Sequence, residues 1–252
     1  MTPSTRQPRD GRGRPAPTVV GRKKMRLLSR QSWNPLALIA TARTLIRRPG
    51  LLVPHVALRN VDALDFDALR AAGVASIIFD KDNTLTAPYV DTAHIDVSDA
   101  ITRAKDAFGE DNCIVLSNSA GSGDDAPEYN AAKACEAALG LRVARHPDAQ
   151  KPQCLEGVVA SLKSSDASTV AVVGDRLATD VLAANQCGAL SVHTRPLDTK
   201  GDNPAALVSR FLENRILLPL LRRLGAAPPR HPAVADLAHT QPGTALPPPS
   251  RR

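Results

Sequence analysis

Asp80 and Asp82 stand one residue apart, directly after the apolar run Ser76-Ile77-Ile78-Phe79. A short run of β-branched and aromatic side chains bounded by polar residues reads as a buried strand. Two carboxylates at its end are hard to explain by packing. Residues i and i+2 of an extended chain point to the same side, so two negative charges crowd one spot. A divalent cation or a proton relieves that repulsion, and chemistry that needs both carboxylates explains the arrangement. The bland alternative is a polar turn with a capping aspartate.

Three more signals follow, each at the end of a strand-like run. Ile114-Val115-Leu116 leads into Ser117-Asn118-Ser119, and Leu141-Arg142-Val143 into a loop holding Lys151-Pro152. Val170-Ala171-Val172-Val173 leads into Gly174-Asp175, with Asp180 five residues on. Ligands of open α/β sheets bind beyond the carboxyl ends of the strands. A parallel sheet would therefore gather Asp80, Asp82, Ser117, Lys151, Asp175 and Asp180 around one cavity. Taken singly, Ser117 reads equally well as a helix cap, Lys151 as a solvated charge, and Asp180 as an acid at a helix N-terminus.

This ordered set resembles the haloacid-dehalogenase superfamily of aspartate-nucleophile phosphatases, over residues 51–218. A narrower resemblance rests on Phe79-Asp80-Lys81-Asp82-Asn83-Thr84-Leu85-Thr86-Ala87-Pro88-Tyr89, Ser117-Asn118-Ser119-Ala120-Gly121, Arg145-His146 before Lys151-Pro152, and Gly174-Asp175-Arg176 with Thr179-Asp180. Leu52-Val53-Pro54-His55 and Leu64-Asp65-Phe66 fit the same pattern. These stretches are similar to the phosphatidylglycerophosphate phosphatases of mitochondria and plastids. One departure is visible: the family usually places two residues and a second lysine between Arg-His and Lys-Pro. Here Pro147-Asp148-Ala149-Gln150 intervene, a segment one residue longer.

The resemblance implies a Mg²⁺-dependent phosphatase that converts phosphatidylglycerophosphate to phosphatidylglycerol. Asp80 would be the nucleophile that becomes an aspartyl-phosphate, and Asp82 the general acid and base. The Mg²⁺ ligands would be the Asp80 carboxylate, the Asp82 main-chain carbonyl and the Asp175 carboxylate, with Asp180 orienting the metal's waters or binding more weakly. Ser117 and Asn118 would hold phosphoryl oxygens, and Lys151 would offset their charge. Arg145 and His146 would meet a second phosphate of the substrate, unless the pair simply fixes a loop. The alternatives are the same chemistry on a soluble phosphomonoester or phosphoprotein, and a non-catalytic membrane-associated scaffold that kept the fold.

The elements that must position these residues are also legible. Helical patterns over 65–72, 97–108, 127–139, 153–162 and 178–185 alternate with the strand-like runs, and 189–193 reads as a fifth strand. That alternation predicts an α/β fold: a doubly wound, mostly parallel sheet with helices on both faces. Thr84 and Ser117 are separated by 32 residues, and Ser117 and Lys151 by 33. A βαβ crossover alone uses ~30 residues, so no cap domain is expected and the site should be open to a large substrate. Residues 208–224 form an apolar, arginine-containing helix interrupted by Pro219, read as closing the sheet or as a second membrane contact.

Charge is unevenly spread. Of the 32 Lys and Arg, 12 fall in residues 1–50, against the single acid Asp10. Residues 1–32 read as a disordered basic targeting segment. Residues 33–50 read as an amphipathic basic helix that packs on the domain or lies on a membrane surface rich in anionic phospholipid. The expected domain is 51–224, and 225–252 reads as a Pro-rich disordered tail. An arginine-rich, acid-poor leader suits the mitochondrion, with a peripheral place on the matrix side of the inner membrane, or else the plastid. With 3% aromatic residues and none interleaved with the arginines, nucleic acid is not an expected partner. Cys113, Cys135, Cys154 and Cys187 show neither zinc nor Cys-x-x-Cys spacing and suit a reducing compartment.

Overall fold

The computed structural model of the protein describes Thr44 and residues 47–198 and 200–234. The leader, nearly all of the expected helix at 33–50, and the tail from 235 lie outside the described residues.

Six parallel strands form one sheet: β1 (Val56–Ala57), β2 (Ser76–Phe79), β3 (Cys113–Val115), β4 (Arg142–Val143), β5 (Val170–Gly174) and β6 (Leu190–His193). Their spatial order is β1-β6-β5-β2-β3-β4. The helices are α1 (Phe66–Ala71), α2 (Ser98–Phe108), α3 (Asn130–Leu139), α4 (Leu155–Ala160), α5 (Leu182–Cys187), α6 (Pro204–Phe211) and α7 (Leu218–Arg223). A wider π-helical turn, Leu177–Val181, opens α5, and another, Leu212–Leu217, joins α6 to α7. The order reverses at β2, which pairs with β3 on one side and β5 on the other. At such a reversal the connections leave towards opposite faces and open a crevice at the carboxyl ends.

Alternation along each strand feeds two cores. Ile77, Phe79, Val115 and Val173 pack with α1, α2 and α3 on one face. Ile78, Ile114 and Val172 pack with α4 and α5 on the other. Each fully buried side chain of this size contributes about 1.5–3 kcal/mol, so the central strands are fixed in register and their ends are fixed in space. Cys113, Cys135 and Cys154 are buried free thiols. Burial pushes the Cys113 thiol up to about 12. The chain after β2 and after β3 returns as loops, without a helix or named strand between Phe79 and Ser98 or between Val115 and Asn130.

Three expectations need correction. β1 escaped notice because two residues carry no readable period; it exists through pairing with β6, Val56 opposite Val192. The helix over 208–224 begins earlier, at Pro204, where Asn203 caps it by accepting from the Ala205 N–H. It also runs through Pro219, whose ring would crowd the carbonyl four residues back; that carbonyl belongs to Arg215, inside the wider turn. Finally, the domain does not stop at 224. His55 Nε2 meets the Pro229 carbonyl at 2.8 Å and Nδ1 meets Ser191 Oγ at 2.8 Å. Its ring packs edge-on against His231, and Ala233 is buried in the larger core.

Burial holds His55 below its ordinary range, and burial with the nearby His55 lowers His231 to about 4. A histidine depressed on folding stabilises above its unfolded value near 6.5 and loses that contribution as pH falls through the folded value. The stability advantage of the native protein over a His231→Gln variant is therefore expected to shrink between about pH 7 and pH 4. Urea unfolding of both across that range checks it.

Candidate active site

Asp80 follows β2 and Asp175 follows β5, the two strands at the reversal. Phe79 lies opposite Val173, and Asp80 N–H donates to the Val173 carbonyl at 2.8 Å. Register alone therefore sets the two carboxylates side by side. Asp180 joins them from the π-helical turn: its Oδ2 accepts the Arg176 N–H at 3.2 Å, folding the side chain back over Gly174. Only glycine fits there, since a Cβ at 174 would stand 2.3 Å from the Asp180 Cγ. One oxygen from each of Asp80, Asp175 and Asp180 lies within 4.8 Å of the others, and all three residues are buried.

Charge in this cluster is only partly balanced. Lys151 Nζ reaches Asp80 Oδ1 at 2.5 Å and Asp180 Oδ1 at 2.6 Å. Burial opposes its charge, but the carboxylates of Asp180 and Asp80 outweigh that and hold the ammonium above its ordinary range. Burial pushes Asp80 up to about 7; Lys151 pulls it down, while Asp180 and Asp175 push further up. Burial likewise pushes Asp175 up to about 6 against the pull of Arg210, which pairs with Asp175 Oδ2. Asp175 Oδ1 is buried without a hydrogen-bond partner. A buried carboxylate oxygen left bare, on a residue clustered with two further carboxylates, fits a hard divalent cation such as Mg²⁺, which takes oxygen ligands. Asp80, Asp175 and Asp180 would hold it. The Asp82 side chain stands apart from this trio.

Asp82 is held from three directions. Oδ1 accepts from Lys81 Nζ at 3.2 Å and from the Tyr89 N–H at 3.1 Å; Oδ2 accepts from Ser119 Oγ at 2.9 Å. Between the two aspartates Lys81 turns away, donating to the Val90 carbonyl at 2.7 Å. Asn83 then takes a left-handed conformation, φ 66°, which asparagine tolerates. Its side chain binds the segment after β6, accepting from the Asp198 N–H and donating to Asp202.

Ser117 and Asn118, after β3, complete the cleft. Ser117 Oγ and Ser119 Oγ are 2.9 Å apart. Asn118 Oδ1 accepts the Lys151 N–H at 2.9 Å, which fixes the lysine despite the longer loop before it. Asp80, Asp82, Ser117, Asn118 and Lys151 all line one cleft of about 110 Å³. Arg145 and His146 do not. Arg145 forms a two-pronged ion pair with Glu136, at 2.8 and 2.9 Å, and lies over the Tyr129 ring. The His146 ring is buried between the Ala149 carbonyl at 2.7 Å and the Ser117 carbonyl at 2.8 Å. Both line a separate groove of about 750 Å³. The polar groups of this pair meet protein partners, as in the loop-fixing alternative. Gly121 belongs to the same support, with φ 80° and a would-be Cβ only 2.2 Å from the Ala144 carbonyl oxygen.

Sequence reading missed Arg176, Asp202 and Arg210, which also line the cleft. Arg210 bridges Asp175 to Asp202. Arg176 pairs with the buried Glu213 at 2.9 Å, and Glu213 accepts the Leu177 N–H at 2.7 Å, capping the turn that presents Asp180. The signal for Arg210 was an arginine on the mostly apolar helix α6, a weak one without knowledge of the helix's inner face.

A family model described as mitochondrial PGP phosphatase matches residues 36–196. The chain is 36% identical over 185 residues to phosphatidylglycerophosphate phosphatase 1, chloroplastic, of Chlamydomonas reinhardtii, covering 72% of this chain and 66% of that protein. It is 33% identical over 207 residues to phosphatidylglycerophosphate phosphatase 1, chloroplastic/mitochondrial, of Arabidopsis thaliana, covering 82% and 59%. To a mitochondrial phosphatidylglycerophosphatase of Saccharomyces cerevisiae it is 29% identical over 177 residues, covering 68% and 92%. The alignments thus span just under two thirds or less of the algal and plant relatives' length.

Two outcomes are expected of the carboxylate cluster. Mg²⁺ at a hundredfold over its dissociation constant should stabilise the protein by about 2.7 kcal/mol, and Asp175→Asn should remove that effect. Thermal unfolding with and without Mg²⁺ reads both. Gly174→Ala should weaken Mg²⁺ binding by displacing Asp180, as calorimetric titration would show.

Proposed function

The chain belongs to the mitochondrial PGP phosphatase family, and we propose that it hydrolyses the terminal phosphate monoester of phosphatidylglycerophosphate to give phosphatidylglycerol. The carrying observation is the convergence of Asp80, Asp175 and Asp180 within 4.8 Å, with Lys151 Nζ 2.5 Å from Asp80. The substrate follows the names of the relatives; the reaction class follows the cleft.

An Asp80 carboxylate oxygen bonds to phosphorus as the bond from phosphorus to the glycerol oxygen breaks, leaving an aspartyl-phosphate. Asp82 gives its proton to the departing alkoxide. It then takes a proton from water, whose oxygen bonds to phosphorus as the bond to Asp80 breaks, releasing inorganic phosphate. Ser119, Lys81 and the Tyr89 N–H hold Asp82 at the mouth for both transfers. Ser117 and Asn118 would donate to the phosphoryl oxygens, and Lys151 would offset the charge that spreads over them. Bound Mg²⁺ would supply the positive charge that lets a carboxylate approach a phosphate. Asp80, Asp175 and Asp180 would hold it, and Arg210 and Lys151 orient the carboxylates.

The loops beyond β2 and β3 leave the mouth accessible to a phosphate that is part of something large, such as a lipid in a bilayer. A peripheral membrane place is part of the proposal. The relatives are named for chloroplasts and mitochondria, and the basic, acid-poor leader supports the matrix side of the mitochondrial inner membrane, with the plastid as the second choice.

Release of phosphate from phosphatidylglycerophosphate in vesicles should stop on chelation and return with Mg²⁺. Asp80→Asn should abolish it, and Asp82→Asn should slow it by roughly 10²–10⁴-fold. Faster turnover of soluble monoesters than of the vesicle-borne lipid would overturn the substrate, and an active Asp80→Asn variant the nucleophile.

A further inference from the structure

Every large hydrophobic side chain standing clearly in solvent among the described residues belongs to one of two segments. Tyr89, Val90 and Ile95 lie in the loop after β2; Val208, Phe211, Leu212, Ile216, Leu220 and Leu224 lie on or directly after the helix from Pro204 to Arg223. Both segments border the cleft: Pro88 and Tyr89 line it from one, Ala206 and Arg210 from the other. Isolated exposed hydrophobics are ordinary, but their concentration around a site marks a contact surface.

The helix has two different faces. Its inner face is occupied: Arg210 holds Asp175, Glu213 caps the turn carrying Asp180, and Leu218 and Leu221 pack against Leu51, Leu52 and Leu182. Its outer apolar residues, 48 to 73% exposed, meet no core. Beside them runs a groove of about 990 Å³ whose lining includes Phe211, Pro219, Arg195, Arg215, Arg222 and Arg223, and no aspartate or glutamate. The charge excludes a basic partner and favours an anionic one. An apolar helical stripe edged with arginine is the pattern of a helix lying in a membrane interface, and anionic headgroups strengthen such binding roughly fivefold per arginine. No described helix is long and apolar enough to cross a membrane. The family match ends at residue 196, before this helix begins.

We propose that the outer face of the helix from Pro204, together with the 89–95 loop, docks the protein on an anionic lipid bilayer, with the cleft mouth turned to the headgroups. The proposal rests on the lipid-phosphatase reading for its purpose, since a docked cleft reaches a headgroup phosphate while the acyl chains stay in the bilayer. Because Arg210 and Glu213 lie on the inner face of the same helix, docking would bear directly on the residues that position Asp175 and Asp180.

The test is co-sedimentation of the full chain with vesicles of phosphatidylcholine, alone or with about a third phosphatidylglycerol, a lipid that lacks the scissile phosphate. The protein should bind the mixed vesicles and not the neutral ones. Phe211→Ser with Ile216→Ser should reduce binding about tenfold or more, as should Arg222→Gln with Arg223→Gln. Turnover of p-nitrophenyl phosphate should stay near the native rate in both, showing that the fold stands. Failure of the native protein to bind, or unchanged binding in both pairs, would overturn the proposal. So would a fall in oligomeric mass with unaltered vesicle binding, which would assign the face to a second copy of the chain. Binding to the mixed vesicles without hydrolysis of phosphatidylglycerophosphate would instead overturn only the enzymatic reading.

Discussion

Three carboxylates buried within 4.8 Å of one another set the terms for the rest of this molecule. At the effective dielectric that suits protein sites, two like charges near 4 Å repel by about 4 kcal/mol. Three such pairs approach the whole net stability of an ordinary domain, about 5–15 kcal/mol. The fold tolerates the cluster because positive groups are built in around it. Lys151 bridges Asp80 and Asp180, and Arg210 takes one oxygen of Asp175. Neither reaches Asp175 Oδ1, which keeps no hydrogen-bond partner. The protein thus holds part of its own counter-charge, and the proposed Mg²⁺ would supply the rest.

Precision at that position comes from ordinary strand pairing. Adjacent parallel strands fix Asp80 and Asp175 through a few backbone hydrogen bonds, and two cores on opposite faces of the sheet hold the strands still. The third carboxylate needs more apparatus. Asp180 sits on a π-helical turn whose first N–H groups are capped by Glu213, and its side chain rests on a glycine that offers no Cβ. Glu213 and Arg210 both come from the inner face of the helix from Pro204 to Arg223. That helix is therefore part of the site's construction, and it links the cleft to a run of exposed apolar side chains.

The sequence exposed the site more readily than its supports. Asp80, Asp82, Ser117, Asn118, Lys151, Asp175 and Asp180 follow strand-like runs, and in a parallel sheet chain order alone predicts their convergence. Arg210 and Asp202 were hidden because an ion pair across chain segments leaves no periodic trace. Arg145 and His146 line a separate groove for a related reason: adjacency to Lys151 in sequence says nothing about direction. Glu136 claims the arginine, and two backbone carbonyls flank the imidazole. β1 and the ordered stretch to Val234 depend wholly on long-range contacts, His55 with Ser191 and Pro229 above all.

In the proposed reaction the carboxylate after β2 bonds covalently to phosphorus. The most direct measurement is borohydride trapping during turnover, followed by mass spectrometry of the peptides carrying residues 76–89 and 170–180. An acyl phosphate would be reduced, converting Asp80 to homoserine in the presence of substrate and Mg²⁺ and not in their absence. Substrate turnover with Asp80 unchanged, or reduction found at Asp82 or Asp175 instead, would contradict it.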